Sequence, residues 1–191
     1  MNEKTKQLVG IGLFTAIVVV LQALTIGIRF GVFTITLVLV PIVVGAALYG
    51  RWAGAWLGLV FGIVVLLTDA GAFLAVSIPG TIITCILKGV VAGFVAGLIY
   101  KALEQKNKYL AVIVAGIAAP ICNTGIFLIG CRLFFYDTIA GWASASGFAS
   151  VGAYMILGLV GLNFLVEMGV NLVLSTVIVR LIGLGKKMIN Q

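Results

Sequence analysis

Residues 80–101 read GTIITCILKGVVAGFVAGLIYK, an apolar stretch in which Lys88 is the one charged side chain before the final residue. A bilayer core about 30 Å thick needs roughly 20 helical residues at about 1.5 Å each, so this stretch is long enough to cross. Its glycines Gly89, Gly93 and Gly97 recur at every fourth position and lie on one face of a helix. The stretch therefore predicts a transmembrane helix with a side-chain-free face and an intramembrane charge.

The whole chain has the composition of a membrane protein. Of its 191 residues, 63% are hydrophobic and 9% are charged, whereas soluble domains have about 45–50% apolar and about 25% charged residues. Six apolar runs of roughly membrane-spanning length cover residues 8–28, 34–50, 52–68, 80–101, 109–131 and 151–182. The sequence predicts an all-α integral membrane protein, a six-transmembrane-helix bundle in which residues 1–191 form a single domain.

The few charges predict the orientation of this bundle. With the N-terminus inside, the outer segments hold only Arg29 and Arg132, and Lys88 lies within a span. The cytoplasmic set is Lys4, Lys6, Arg51, Lys101, Lys106, Lys108, Arg180, Lys186 and Lys187. The positive-inside rule then places both termini in the cytoplasm, and we expect the first run to stay as a helix rather than to be cleaved. Because the basic residues are separated by apolar runs, the net charge of +7 does not indicate a nucleic-acid partner.

Residue content excludes several kinds of active site. The chain has no histidine, and its three cysteines show no C-x-x-C spacing, which removes His-based catalysis and the common metal sites. It also lacks a G-x-x-x-x-G-K-[ST] segment for nucleotide phosphates. We therefore expect neither an enzyme nor a cofactor. A chain of this kind that moves a solute against a gradient needs energy from another subunit.

Glycine stripes predict close helix packing. One stripe consists of Gly50, Gly54, Gly58 and Gly62, and the other is the stripe in residues 80–101. Such faces let two helix backbones approach closely in lipid, which favours packing within the chain.

A shorter small-residue pair, Gly12-x-x-x-Ala16, lies on the first helix. It could pack internally or receive a helix of another protein.

The polar residues inside the spans are the candidates for function. Asn163, Glu167 and Asn171 recur at intervals of four on the last helix, so they share one face, and polar residues in a span face a protein interior or a wet cavity. Lys88 lies about 12 Å inside the fourth span, four residues after Thr84. Lys88 could form a structural ion pair with Glu167, or it could bind an anionic group of a solute that enters from outside.

Two further features bear on a cavity. Pro120 interrupts the hydrogen-bond ladder of the fifth span, and Asn123 follows it either to satisfy that break or to face a ligand. The outer connections, residues 69–79 and 132–150, are rich in aromatic side chains. These segments could be an interfacial aromatic belt or a flexible lid over a site.

The order of these segments resembles the S component of an energy-coupling factor (ECF) transporter, the membrane subunit that captures a vitamin for uptake. The resemblance is carried by KTKQLVGIGLFTAI, VPIVVGAALYGRWAGAWLGLVFG and LKGVVAGFVAGLIYK. It implies a six-helix bundle with an outward-facing vitamin pocket, in a bacterial plasma membrane. It also implies association with a transmembrane coupling subunit and two ATPase subunits, and gives Gly12 and Ala16 the role of contacting the coupling subunit.

The segments APICNTGIFLIG and LNFLVEMGVNLVLS are similar to pantothenate-type members of that family. The resemblance implies that Lys88, next to Thr84, binds the vitamin's carboxylate. The amide and hydroxyl groups of the vitamin would then be contacted by Asn123, Asn163, Glu167 and Asn171. Pyridoxine or hydroxymethylpyrimidine is the nearest alternative ligand, followed by riboflavin. A non-transporting membrane scaffold, whose polar residues only fix helix register, is the alternative from another functional class.

Overall fold

The computed structural model describes residues 2–25, 29–30, 33–34 and 37–189. Its regular elements in chain order are α1 Glu3–Thr25, β1 Arg29–Phe30, β2 Phe33–Thr34, α2 Leu39–Tyr49, α3 Arg51–Thr68, α4 Gly71–Leu74, α5 Ile78–Leu103, α6 Lys108–Phe134, α7 Tyr136–Ala145, α8 Val151–Ala153, a π-helix Tyr154–Gly161 and α9 Leu162–Ile189. Within the described part, five helical segments are long and apolar enough to cross a membrane.

Of the six expected spans, the second is the one whose helix is too short to be among these five, and its predicted start at residue 34 is wrong. Thr34 belongs to β2, where it pairs antiparallel with Arg29, and the helix α2 begins only at Leu39. With 11 residues, α2 extends about 16 Å, roughly half of a bilayer core. Most of its side chains are nevertheless buried, as expected of a helix that is apolar on all sides. Residues 26–28, the predicted end of the first span, lie outside the described residues.

The contact between α3 and α5 confirms that both glycine stripes pack within the chain. A methyl group built on Gly54 would overlap the backbone carbonyl of Gly93, and one on Gly58 would overlap that of Gly89. One turn further along α3, a methyl group on Gly62 would come within 2.5 Å of the Cys85 carbonyl oxygen. The pairing order runs in opposite directions along the two helices, so α3 and α5 are antiparallel with their backbones in direct contact.

Gly50 was expected in this stripe, but the structure gives it a different position. It lies between α2 and α3 at φ 91° and ψ 174°, and a methyl group there would meet nothing within 4 Å. This backbone region is essentially restricted to glycine. Gly50 therefore allows the sharp turn between two helices that follow each other without a loop.

We expect Gly50→Ala to lower the free energy of unfolding by about 1–3 kcal/mol, because alanine is strained in this conformation. For a chain of this size that corresponds to a fall in Tm of a few degrees, measurable by thermal unfolding of the solubilised protein. Gly141→Ala is the matched control, since Gly141 lies in α7 with open space around it and no positive φ. An unchanged Tm for Gly50→Ala would contradict this role of the turn.

The last predicted span, residues 151–182, is helical but not uniformly α-helical. Its first part is the π-helix Tyr154–Gly161, and the α-helix α9 then continues to Ile189. A methyl group on Gly158 would come within 2.7 Å of the Tyr154 ring, so this glycine leaves space for the ring. Two glycines, Gly158 and Gly161, also weaken the α-helical preference of the segment.

Candidate functional site

A cavity lies at the end of the bundle where α3 ends and α5 begins. It contains about 380 Å³ of empty space including its open mouth. Its lining comes from α3, α4, α5, α6 and the residues that join them: Val65, Asp69, Ala70, Phe73, Thr81, Thr84, Cys85, Lys88, Phe127 and Phe135. The cavity therefore combines phenylalanine rings with two hydroxyls and two opposite charges.

Lys88 supplies the positive charge of this cavity. Its Nζ lies 5.6 Å from the ring centroid of Phe61 and 5.5 Å from that of Phe127. Both distances are in the range in which an ammonium is attracted to the face of an aromatic ring. The neighbouring residue Gly89 contacts the backbone of α3 at Gly58, which fixes the height of Lys88 in the bundle.

The start of α5 carries the two hydroxyl groups. Ser77 caps this helix by accepting a hydrogen bond from the Gly80 N–H at 3.3 Å. Thr81 Oγ1 donates to the Ser77 carbonyl at 2.7 Å. Thr84 is 4% exposed, and its Oγ1 has no hydrogen-bond partner among the described residues and lies against Gly130 of α6. An unpartnered buried hydroxyl on a cavity wall is a group that a ligand can satisfy.

The aromatic residues of the two predicted outer connections form packed helices next to the cavity. Phe73 of α4 has its ring centroid 4.9 Å from Phe135, 5.7 Å from Phe127 and 5.7 Å from Trp142, all in edge-to-face geometry. Trp142 belongs to α7, so this cluster ties α4, α6 and α7 together. Such pairs each contribute about 0.5–1.5 kcal/mol beyond area burial. The aromatic groups thus form a packed side of the cavity.

The predicted site residues separate into two groups. Thr84 and Lys88 line the cavity, whereas Asn123, Glu167 and Asn171 do not. Asn123 of α6 and Glu167 and Asn171 of α9 are buried, as expected of polar residues in a span, and their part in one site with Lys88 stays a prediction. Helical periodicity defines which residues share a face and does not define which neighbouring helix that face meets.

The second group is a buried polar contact. Asn171 Nδ2 donates to the Glu167 carbonyl at 3.0 Å, and Asn171 Oδ1 and Asn123 Oδ1 have no hydrogen-bond partner among the side chains that the structure describes. A methyl group built on Gly116 would lie 3.7 Å from the Cβ of Asn171, so Asn171 faces α6 at this level. Pro120 has no N–H, so it cannot donate to the Gly116 carbonyl one turn earlier. The side chain of Asn163 lies outside the described part of α9.

Several residues of the cavity wall were not among the predicted site residues, namely Asp69, Phe73, Thr81, Phe127 and Phe135. Asp69 had a detectable signal, because it is the acidic residue that ends the third apolar run. Phe73 and Phe135 had one too, because both lie in the aromatic outer connections that could form a lid. Phe127 had none, since an apolar ring in a membrane span is equally compatible with lipid, core or ligand contact.

Gly12 and Ala16 are exposed on α1, and a methyl group on Gly12 would meet nothing within 4 Å. Internal packing, one of the two expectations for this pair, is therefore wrong for the described residues. The pair leaves a small-residue surface on the outside of the bundle.

Comparison with known proteins identifies the family. No curated protein matches the sequence. The family model of the ECF transporter, substrate-specific component, matches residues 6–179. Members of this family are substrate-binding membrane subunits and not ATPases. This role agrees with the several apolar helices of the structure and disfavours the non-transporting scaffold. Since the match covers nearly the whole chain, the protein belongs to the family of ECF transporter substrate-specific components.

Proposed function

We propose that this chain captures pantothenate, a carboxylate-bearing vitamin, through Lys88 in the cavity. The bundle would cross a bacterial plasma membrane six times with both termini in the cytoplasm, and the cavity would open outward. A transmembrane coupling subunit and two ATPases would supply the energy for delivery. The observation that carries the proposal is the placement of Lys88 on the cavity wall between two phenylalanine rings, one helical turn from Thr84.

The environment of Lys88 favours an anionic ligand group. The ammonium of the half-buried Lys88 has lost part of its hydration, and the rings of Phe61 and Phe127 replace only part of that interaction. A carboxylate that enters the cavity gains a charge-assisted hydrogen bond where the effective dielectric constant is low. The cavity therefore attracts a carboxylate more strongly than a neutral group of the same size.

The other predicted contacts depend on how far the ligand reaches. Asn123 lies one helical turn from Phe127 on α6 and is 6% exposed. A ligand group that passes the Phe127 ring would reach Asn123 first. Asn163, Glu167 and Asn171 remain predicted contacts for a bound state in which α6 and α9 separate around the ligand.

The surface formed by Gly12 and Ala16 supports the proposed contact with the coupling subunit. Both residues are exposed and small, so a helix of another membrane protein can approach the α1 backbone closely there.

A pyridine or pyrimidine vitamin is the second candidate. The rings of Phe73, Phe127 and Phe135 line the cavity, and such rings can stack on a heteroaromatic ligand. Asp69, also on the wall, could accept a hydrogen bond from a ring amine or hydroxymethyl group. Competition of pyridoxine and hydroxymethylpyrimidine with labelled pantothenate separates the two candidates.

Mass spectrometry of the ligand extracted from purified protein tests the proposal without a prior choice of vitamin. We expect pantothenate in a near-stoichiometric amount, because submicromolar affinity, about −8 kcal/mol or better, survives purification. A bound pyridine or pyrimidine vitamin would support the second candidate, and a neutral ligand would contradict the role of Lys88.

A further inference from the structure

Asp69 gives the cavity a second charged end. Asp69 directly follows α3 and lies on the same cavity wall as Lys88. Phe61, whose ring contacts the Lys88 ammonium, lies eight residues before Asp69, or about 12 Å along the helix axis. Since α3 and α5 are antiparallel and in backbone contact, Asp69 lies at the end of the bundle, which we call the mouth, and Lys88 lies further along the bundle axis.

Polar groups follow each other between these two ends. Thr81 is about 10 Å and Thr84 about 6 Å nearer the mouth than Lys88, at about 1.5 Å per residue along α5. Both threonines line the cavity, and Thr84 Oγ1 has no partner. From its inner end to its outer end, a ligand that extends along this wall meets the ammonium of Lys88, then the two threonine hydroxyls, and then the carboxylate of Asp69.

We propose that Asp69, in place of the predicted asparagines and Glu167 of α6 and α9, binds the hydroxyl end of the ligand and so fixes its direction in the cavity, with the carboxylate inward and the hydroxyls at the mouth. This inference rests on the proposed function. An ionised carboxylate only accepts hydrogen bonds, so Asp69 selects a ligand whose outer end donates them. Pantothenate has the matching order of groups, with a carboxylate at one end, an amide in the middle and two hydroxyls at the other end.

The same carboxylate gives selectivity against the wrong ligands. A second carboxylate at the outer end of a ligand would meet Asp69 as a like charge in a partly desolvated site. Asp69 is therefore a specificity-determining residue, and it distinguishes monocarboxylates with hydroxyl groups from dicarboxylates of similar length.

A ligand pair tests this inference. N-(3,3-dimethylbutanoyl)-β-alanine keeps the carboxylate and amide of pantothenate and lacks both hydroxyls. We expect the wild-type protein to bind it about 10- to 100-fold more weakly than pantothenate, in line with the loss of a hydrogen bond to a charged group. In Asp69→Asn this ratio should shrink to within about threefold, because the variant loses affinity for pantothenate but little for the analogue.

Two further variants make the result decisive. Asp69→Glu keeps the negative charge, so it should still bind pantothenate about tenfold or more tightly than the analogue. Asp137→Asn changes an exposed aspartate of α7 that does not line the cavity, so its ratio of the two affinities should equal that of the wild-type protein. Equal binding of both ligands by the wild-type protein, or an unchanged ratio in Asp69→Asn, overturns the role of Asp69 and leaves the proposed function intact. No binding of pantothenate by the wild-type protein overturns the proposed function and this inference with it.

Discussion

Lys88→Met is expected to weaken pantothenate binding by about 30-fold or more, since removing one partner of a buried charge pair costs about 2–5 kcal/mol. Methionine keeps much of the length and the apolar stem of lysine, so the rings of Phe61 and Phe127 keep a packing partner. The loss is then attributable to the ammonium. Isothermal titration calorimetry of the detergent-solubilised protein measures it.

Lys101→Met is the matched control for this variant. Lys101 is 78% exposed and pairs with Glu104 at 3.1 Å on the surface of α5, an interaction that contributes about 0–1 kcal/mol. We expect its pantothenate affinity to equal that of the wild-type protein. Unchanged affinity in Lys88→Met would contradict the assignment of the carboxylate to Lys88.

Gly58→Ala is expected to be among the most destabilising single substitutions in the bundle. The added methyl group would overlap the backbone carbonyl of Gly89, and a backbone atom cannot rotate away as a flexible side chain can. Overpacking of this kind costs about 3 kcal/mol or more, which for a chain of this size corresponds to a fall in Tm of about 6–12 °C. The same substitution should weaken ligand binding, because Gly89 follows Lys88 directly.

Gly125→Ala separates packing from helix propensity. Gly125 also lies inside a long helix, α6, but a methyl group there would meet nothing within 4 Å. Alanine is a better helix former than glycine by about 1 kcal/mol, so this variant should be neutral or slightly stabilised. If Gly58→Ala were as stable as Gly125→Ala, the direct backbone contact of α3 and α5 would be wrong.

Close packing of the glycine stripes within the chain was predictable from the sequence, because glycines at every fourth position let helix backbones approach each other in lipid. The contact of one stripe with the other was not, since the spacing does not identify the partner helix. Gly54, Gly58, Gly89 and Gly93 lie where that spacing predicts. Gly50 extends the same spacing but forms a turn. The spacing alone cannot distinguish a glycine that packs against a helix from one that is required by a positive φ.

The short second helix and the π-helical segment were not predictable from apolar length. Residues 34–50 are apolar almost throughout, but the helix α2 begins at Leu39 after the β1–β2 pair. An apolar run shows that a segment is compatible with lipid or with a protein core. It does not show whether the segment forms a strand, a π-helix or an α-helix.

The sequence places two candidate site residues together because one helix carries both. Thr84 and Lys88 share a face of α5, and both line the cavity. Asp69 joins them from the end of α3, and Glu167 and Asn171 face a different contact. Which faces meet depends on tertiary packing, and a single sequence contains little information about it.

The most direct test of carboxylate capture compares pantothenate with pantothenol, its alcohol analogue, in the wild-type protein. Pantothenol replaces the carboxylate by a hydroxymethyl group and leaves the rest of the molecule unchanged. We predict submicromolar binding of pantothenate and binding of pantothenol that is weaker by about 30-fold or more, for the same physical reason as in Lys88→Met. Equal affinity for the two ligands, or binding of neither, would contradict the account.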